Sequence, residues 1–302
     1  MVYLYLVLTT FFWAAVFHIG KFAVAHMSPL SVGAWRFLVA GTILVIYLYL
    51  QKGWDVQAVR RNIWPIVAMG IIGVFGFNVA LFIGLKHTSS VNGALIMAFY
   101  PAMTALMSAL LGGERVQPRQ LLGFAVSLTG VVIIVSQGSL HNLLTMSFSV
   151  GDLLMLVACA CFALYAVIPK RFITNVPSML LTTSTIVVGA VLLGITADIL
   201  SDDMFVMPST TVSAAIAAMA LFGSVLAYLW WNQGIARLGA TRSAIFINLV
   251  PVFASLIGVA LGQSLSVAQL IGAVLVIAGV ITTMTAATPP VAKPLVTEAC
   301  RS

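Results

Sequence analysis

The chain has 302 residues, of which 62% are hydrophobic and 7% charged, with a formal net charge of +7. Soluble domains carry about 25% charged residues, so the composition excludes a water-soluble enzyme or nucleic-acid binder and requires an integral membrane protein. A span needs about 20 apolar residues. In chain order ten such runs occur: 2–22, 29–50, 63–85, 89–111, 118–137, 152–169, 177–198, 211–235, 241–262 and 267–287. No basic stretch precedes the first run, so it is read as a span rather than a cleaved signal peptide. The runs are continuous and twice the length of a barrel strand. The expected fold is therefore all-α and polytopic, with ten transmembrane helices.

Charge placement orients these spans. Eleven of the fourteen basic residues, among them Lys52, Arg60, Arg61, Arg115, Arg119, Lys170, Arg171, Arg237 and Arg242, fall on one side. Lys21 and Lys86 fall on the other, as do Asp198, Asp202 and Asp203. The positive-inside rule places both termini in the cytoplasm of a cell inner (plasma) membrane. It also accounts for the basic charge without a nucleic-acid partner. Cys159 and Cys161, two apart on one helix, point to different faces and build no metal site.

The chain repeats itself. Residues 93–112 and 243–262 each centre a proline, Pro101 or Pro251, 150 positions apart. Gly84 matches Gly234, and after a one-residue slip Gly123 and Gly130 match Gly272 and Gly279. Trp13 matches Phe162. Five spans per half is an odd number, so the second half must enter the membrane inverted. Inverted repeats place a substrate site at the repeat interface and support alternating access. The expected organisation is a first repeat at 1–137, an outer linker at 138–151, a second repeat at 152–287 and a disordered cytoplasmic tail at 288–302.

The first half carries Trp13, Lys21, Ser28-Pro29 and Arg36-Phe37, then Leu85 to Ser90, Pro101 and Gly113-Glu114-Arg115. The second carries Gly234 to Ala240 and then Pro251. In this order these landmarks resemble the EamA family of the drug/metabolite transporter superfamily, and within it YddG-type exporters of amino acids and metabolites. The second half departs from the pattern, with Gln263-Ser264 where the first has Gly-Glu. The resemblance implies two inverted five-helix EamA repeats around a central cavity and export across the inner membrane.

Candidate site residues are polar or aromatic groups inside spans. Asn78, Asn232 and Asn248 must find partners away from lipid. They suit either a substrate's carboxylate or ammonium, or plain helix–helix hydrogen bonds. Trp13, Phe82, Phe99, Tyr100, Tyr165, Tyr228 and Trp231 offer apolar walls and cation–π faces. His18 is the histidine well inside a span and the one candidate for titration near neutral pH. Pro101 and Pro251 remove a backbone hydrogen bond and bend their helices, as hinges or as static kinks. Arg36, about two turns into span two, is expected to hold backbone carbonyls, water or phosphate.

All seven acids, Asp55, Glu114, Asp152, Asp198, Asp202, Asp203 and Glu298, sit at span ends, in loops or in the tail. Ion-coupled carriers usually need a carboxylate at mid-membrane, so coupling is expected to be weak or absent. Enzyme motifs are missing, and no metal or cofactor is expected. The partners expected are a small-molecule substrate and the lipid bilayer, with the protein acting as a monomer. The reading is an exporter of aromatic and other neutral amino acids or similar metabolites. A drug, nucleobase or sugar exporter is the nearest alternative. An intramembrane enzyme or scaffold lies further off.

Overall fold

A computed structural model describes residues 1–88, 90–111, 116–139, 141 and 149–285. The Gly113-Glu114-Arg115 landmark, most of the 138–151 linker and the 288–302 tail lie outside the described residues. Helices dominate the described chain. Nine are long and apolar enough to cross a membrane, and a bent pair makes a tenth span. They are α1 (Val2–Val24), α2 (Pro29–Leu50), α3 (Ile63–His87), the bent α4 (Ser90–Ala98 and Tyr100–Leu110), α5 (Pro118–Ser136), α6 (Val150–Phe172), α7 (Ser178–Leu200), α8 (Thr210–Leu238), α9 (Ala240–Ala260) and α10 (Val267–Met284). The short helix Val56–Arg61 lies between α2 and α3, capped by the Asp55 carboxylate on the Ala58 amide at 2.9 Å.

Helix starts follow the local sequence. Gln117 and Gln120 form a reciprocal cap on α5, and Ser266 and Gln269 form the same cap on α10, 149 residues later. Such boxes satisfy amides that the first turn leaves orphaned. The prolines act where expected. α4 bends by 42° at Phe99, just before Pro101, and α9 tightens to a 3₁₀ turn over Ile245–Asn248, just before Pro251. Each distortion lies on the N-terminal side of its proline, where the ring clashes with the preceding turn.

The halves meet as a two-fold would have them. α5 packs on α10 and α2 on α7, while α1 packs on α8 as α6 packs on α3. At the α5–α10 crossing, a Cβ on Gly130 would lie 2.6 Å from the Gly272 carbonyl, and one on Gly279 would lie 2.5 Å from the Gly123 carbonyl. Gly123 therefore sits by Gly279 and Gly130 by Gly272. The two helices run antiparallel, and the contact is reciprocal, as an isologous contact must be. Only glycine lets the backbones come this close, a common basis of helix association in membranes. Counterpart helices running in opposite directions make the two halves inverted.

One feature of α3 and α8 was not legible as periodicity. Each contains a π-helical segment, Gly70–Gly76 in α3 and Met219–Leu226 in α8, at equivalent places in the two halves. The glycine stripe at Gly70, Gly73 and Gly76 reads from sequence as a packing face. It is that, and it is also the wide turn of the helix.

Candidate functional site

The π segments bring the helices of opposite halves together. A π turn shifts the hydrogen-bond pattern to i→i+5, which frees and re-aims carbonyls. In α8 the Gly223 carbonyl accepts from Trp13 Nε1 of α1 at 3.0 Å and from Arg36 Nη2 of α2 at 3.0 Å. Arg36 Nε donates to Ser224 Oγ at 2.8 Å. The Arg36 guanidinium also lies 5.0 Å from the Phe37 ring centroid. The carbonyl partner expected for Arg36 is thus supplied by the other half. In α3, Gly73 takes the Tyr165 side chain of α6, since a Cβ there would come within 2.3 Å of the ring. Asn78 Nδ2 donates to the Val74 carbonyl of the same π segment at 2.6 Å.

Between the π segments lies a cluster of seven rings. Phe162 of α6 is its hub. Its centroid lies 4.8 Å from Phe77, 5.2 Å from Tyr100, 5.6 Å from Trp13, 5.8 Å from Trp231, 6.0 Å from Tyr165 and 6.4 Å from Tyr228. Offset-stacked and edge-to-face pairs at these distances are attractive. Trp231, Tyr100 and Tyr165 are fully enclosed, whereas Trp13 and Phe77 are partly open. Phe37 extends the cluster edge-on to Tyr228, at 5.9 Å, and so links it to Arg36. Phe162 was not singled out as a site residue from sequence. The available signal was its alignment with Trp13.

Polar groups ring the cluster. Asn232 Nδ2 donates to Tyr165 Oη and to Thr182 Oγ1, both at 2.8 Å. The Asn232 Oδ1, Tyr100 Oη and Trp231 Nε1 atoms are enclosed and have no protein partner. Buried polar atoms of this kind are uncommon in native proteins, and three in one cluster mark a place suited to a polar ligand.

The remaining candidates lie elsewhere. Asn248 is buried and donates to Ser127 Oγ of α5 at 2.9 Å, a link between helices. Phe82 packs on Gly33 of α2. Phe99 is 49% exposed at the α4 bend. The His18 ring bonds back to the Ala14 carbonyl of its own helix at 3.1 Å. The structure brings Trp13, Tyr100, Tyr165, Tyr228, Trp231 and Asn232 together, with Asn78 just past the adjoining π turn. It does not bring His18, Phe82, Phe99 or Asn248 into the ring cluster.

Two carboxylates act at one end of the bundle. Asp203, between α7 and α8, accepts from the Ser28 amide at 2.6 Å, Ser28 Oγ at 2.8 Å and Ser31 Oγ at 2.6 Å, clasping the start of α2. Burial alone would raise this carboxyl, but the hydrogen bonds from Ser31 and Ser28 outweigh it and hold it below the usual range. Trp35 Nε1 adds a bond to the Met204 carbonyl at 3.0 Å. Asp152, at the start of α6, accepts from Thr88 Oγ1, from Asn92 Nδ2 at 3.3 Å and from the Ser149 amide at 2.6 Å. Arg60, Arg61, Lys170, Arg171, Arg237 and Arg242 lie at the opposite end. Among the described residues no cluster of His, Cys, Asp or Glu is arranged to hold a metal.

Known proteins resemble this chain along most of its length. The chain is 40% identical over 283 residues to the uncharacterized transporter YyaM of Bacillus subtilis (strain 168), covering 93% of this chain and 92% of that one. It is 28% identical over 266 residues to an S-adenosylmethionine/S-adenosylhomocysteine transporter of Chlamydia trachomatis serovar L2, covering 85% and 81% of the two chains. It is 27% identical over 257 residues to the uncharacterized inner membrane transporter YedA of Escherichia coli (strain K12), covering 83% and 79%. A crystal structure of a protein 22% identical superposes with a TM-score of 0.77, covering 92% of this chain and 95% of the other, and shows a shared fold. Residues 1–136 and 149–285 match the EamA-like transporter family. A duplicated helical bundle whose halves meet at a ring cluster, matched to the family over both halves, is a membrane transporter, not an enzyme, and the chain belongs to the EamA-like transporter family.

Proposed function

We propose that this transporter exports aromatic and other neutral amino acids, or similar metabolites with one flat apolar group and polar ends, by alternating access. The observation that carries the reading is the ring cluster with three unpartnered polar atoms, Tyr100 Oη, Trp231 Nε1 and Asn232 Oδ1. Parting the rings offers an apolar slot, and the three atoms offer donors and acceptors within it. Such a mix of apolar wall and few polar groups is the usual make-up of a small-molecule site. The matched bends before Pro101 and Pro251 give the two halves equivalent places to flex. The basic end supports an orientation with both termini in the cytoplasm. A purified monomer contains both halves of the site.

A second reading is favoured by the relative named as an S-adenosylmethionine/S-adenosylhomocysteine transporter. Those molecules join an amino-acid end to a flat purine, and the same slot suits them.

Proteoliposome counterflow with radiolabelled phenylalanine, competed by other amino acids, S-adenosylmethionine and nucleobases, tests both. Competition by aromatic amino acids supports the first reading. Competition by S-adenosylmethionine alone moves the assignment to the second, and saturable uptake of neither removes both. No carboxylate lies mid-span among the described residues, so flux should not require a proton gradient. A stoichiometric proton flux that survives His18→Ala would overturn that part.

A further inference from the structure

We infer that Arg36 is the anion-recognition point of the transport site and receives the carboxylate of the substrate, an assignment that rests on the reading above. Arg36 lies seven residues into α2, about 10 Å along the helix at about 1.5 Å per residue. No carboxylate contacts it among the described residues. Asp203 is committed to Ser28 and Ser31, and Asp152 to Thr88, Asn92 and Ser149. A guanidinium has five N–H donors in a planar fork. Two are used here, by Ser224 Oγ and the Gly223 carbonyl. The Nη1 amino group makes no hydrogen bond to the protein among the described residues, and Arg36 as a whole is half-buried. An unpaired cation inside a membrane protein is costly and is retained where a ligand or water reaches it.

Position completes the argument. Arg36 and Trp13 share one acceptor, the Gly223 carbonyl, and Trp13 is part of the ring cluster. Phe37, against the guanidinium, meets Tyr228 of that cluster edge-on. The cation therefore stands at the edge of the rings. An aromatic side chain among the rings leaves its carboxylate facing Nη1. The two existing bonds fix the fork's plane, and the opposite half supplies both, so anion binding and helix α8 are joined at one residue. The equivalent stretch of α7 around Thr185 has no basic residue, so the arrangement occurs once.

The test compares binding of L-phenylalanine, L-phenylalaninamide and phenethylamine to purified protein by calorimetry or scintillation proximity, for the unsubstituted protein, Arg36→Gln and Arg36→Lys. The unsubstituted protein should prefer phenylalanine to both carboxylate-free probes by at least about tenfold. In Arg36→Gln the preference should vanish while phenethylamine binds as before. In Arg36→Lys, which keeps the charge and loses the fork, it should shrink severalfold. A merely structural role for Arg36 would weaken all three probes together, and that outcome overturns the assignment. So does an undiminished carboxylate preference in Arg36→Gln, while leaving the proposed function standing. If Arg36→Gln does not fold, Arg36→Lys decides on the same criterion. Failure of the unsubstituted protein to bind any of the three overturns both readings.

Discussion

The π segments of α3 and α8 occupy equivalent places in the two halves, and each buries a glycine against the first helix of the opposite half. Gly73 meets Tyr165, and Gly223 meets Val16, with would-be Cβ contacts of 2.3 Å in both cases. The backbones are alike and the chemistry is not. Where α1 and α2 meet α8, Trp13 and Arg36 donate to the Gly223 carbonyl, Arg36 also donates to Ser224, and Asp203 clasps the start of α2. Where α7 meets α3, Val188 packs on Gly70 and Val74 on Gly189, and the hydrogen bonds lie at the helix starts, where Asn62 Nδ2 donates to the Thr174 carbonyl at 3.1 Å and Asn62 Oδ1 accepts from the Thr174 amide at 2.9 Å. Duplication therefore conserved the geometry of two joints and, among the described residues, tied only one of the two π turns to the opposite half with a guanidinium and an indole. Packing without directional bonds can slide; a joint tied by a guanidinium must break bonds to move.

The largest test of this contrast compares the counterparts Phe162 and Trp13. Phe162 touches six rings and is buried, so Phe162→Ala should cost about 3 kcal/mol of stability and abolish transport. Trp13 is partly open, so Trp13→Ala should lower the melting temperature much less while still slowing transport. Equal thermal shifts in the two variants would show that the halves are energetically equivalent after all.

Next come the glycines. A Cβ at Gly73 would meet the Cβ and ring of Tyr165, at 2.4 Å and 2.3 Å, which no rotamer change relieves. At Gly223 it would meet chiefly one methyl of Val16. Gly73→Ala should destabilise by about 1–3 kcal/mol, and Gly223→Ala by less. Thermal unfolding in detergent followed by tryptophan fluorescence would read both, and the reverse order would break the argument.

The smallest effect belongs to the clasp. Asp203 is held below its unfolded value, so its contribution is present at pH above the usual carboxylate range. It is lost as pH falls through the lower folded value. Melting temperature should decline on acidification, and Asp203→Asn should lower it near neutrality and flatten the acid slope. An unchanged slope would mean that the α2–α8 joint does not depend on the clasp.

Much of the fold was legible in residues. Continuous apolar runs of about 20 residues admit only spanning helices, because lipid offers backbone groups no partner. The prolines announced their bends, and the glycines of α5 and α10 announced the repeat, whereas their meeting at one crossing came only from the structure. The apolar runs 152–169 and 211–235 stop short of the ends of α6 and α8, which extend to Phe172 and Leu238 and carry Lys170, Arg171 and Arg237 in their last turns. Basic residues tolerate that position because the helix dipole favours them there. The site was legible only in part. Trp13, Tyr100, Tyr165, Tyr228, Trp231 and Asn232 stood out by residue type and do converge. Phe162 is indistinguishable by type from any lipid-facing phenylalanine, and its position as hub depends on five helices arriving together.

By itself the sequence determined the solvent this protein lives in, the number of its crossings and the duplication, because these depend on composition, run length and counting. The tertiary structure alone decided which rings meet, which polar atoms are left without partners, and that Arg36 of one half is tied to the π turn of the other. Those depend on distances across helices far apart in the chain. A π turn in these spans also leaves no signature in hydrophobic periodicity, since the segments GIIGVFG and MALFGSVL are apolar apart from Ser224, and a single polar position does not mark a shift in the phase of their faces.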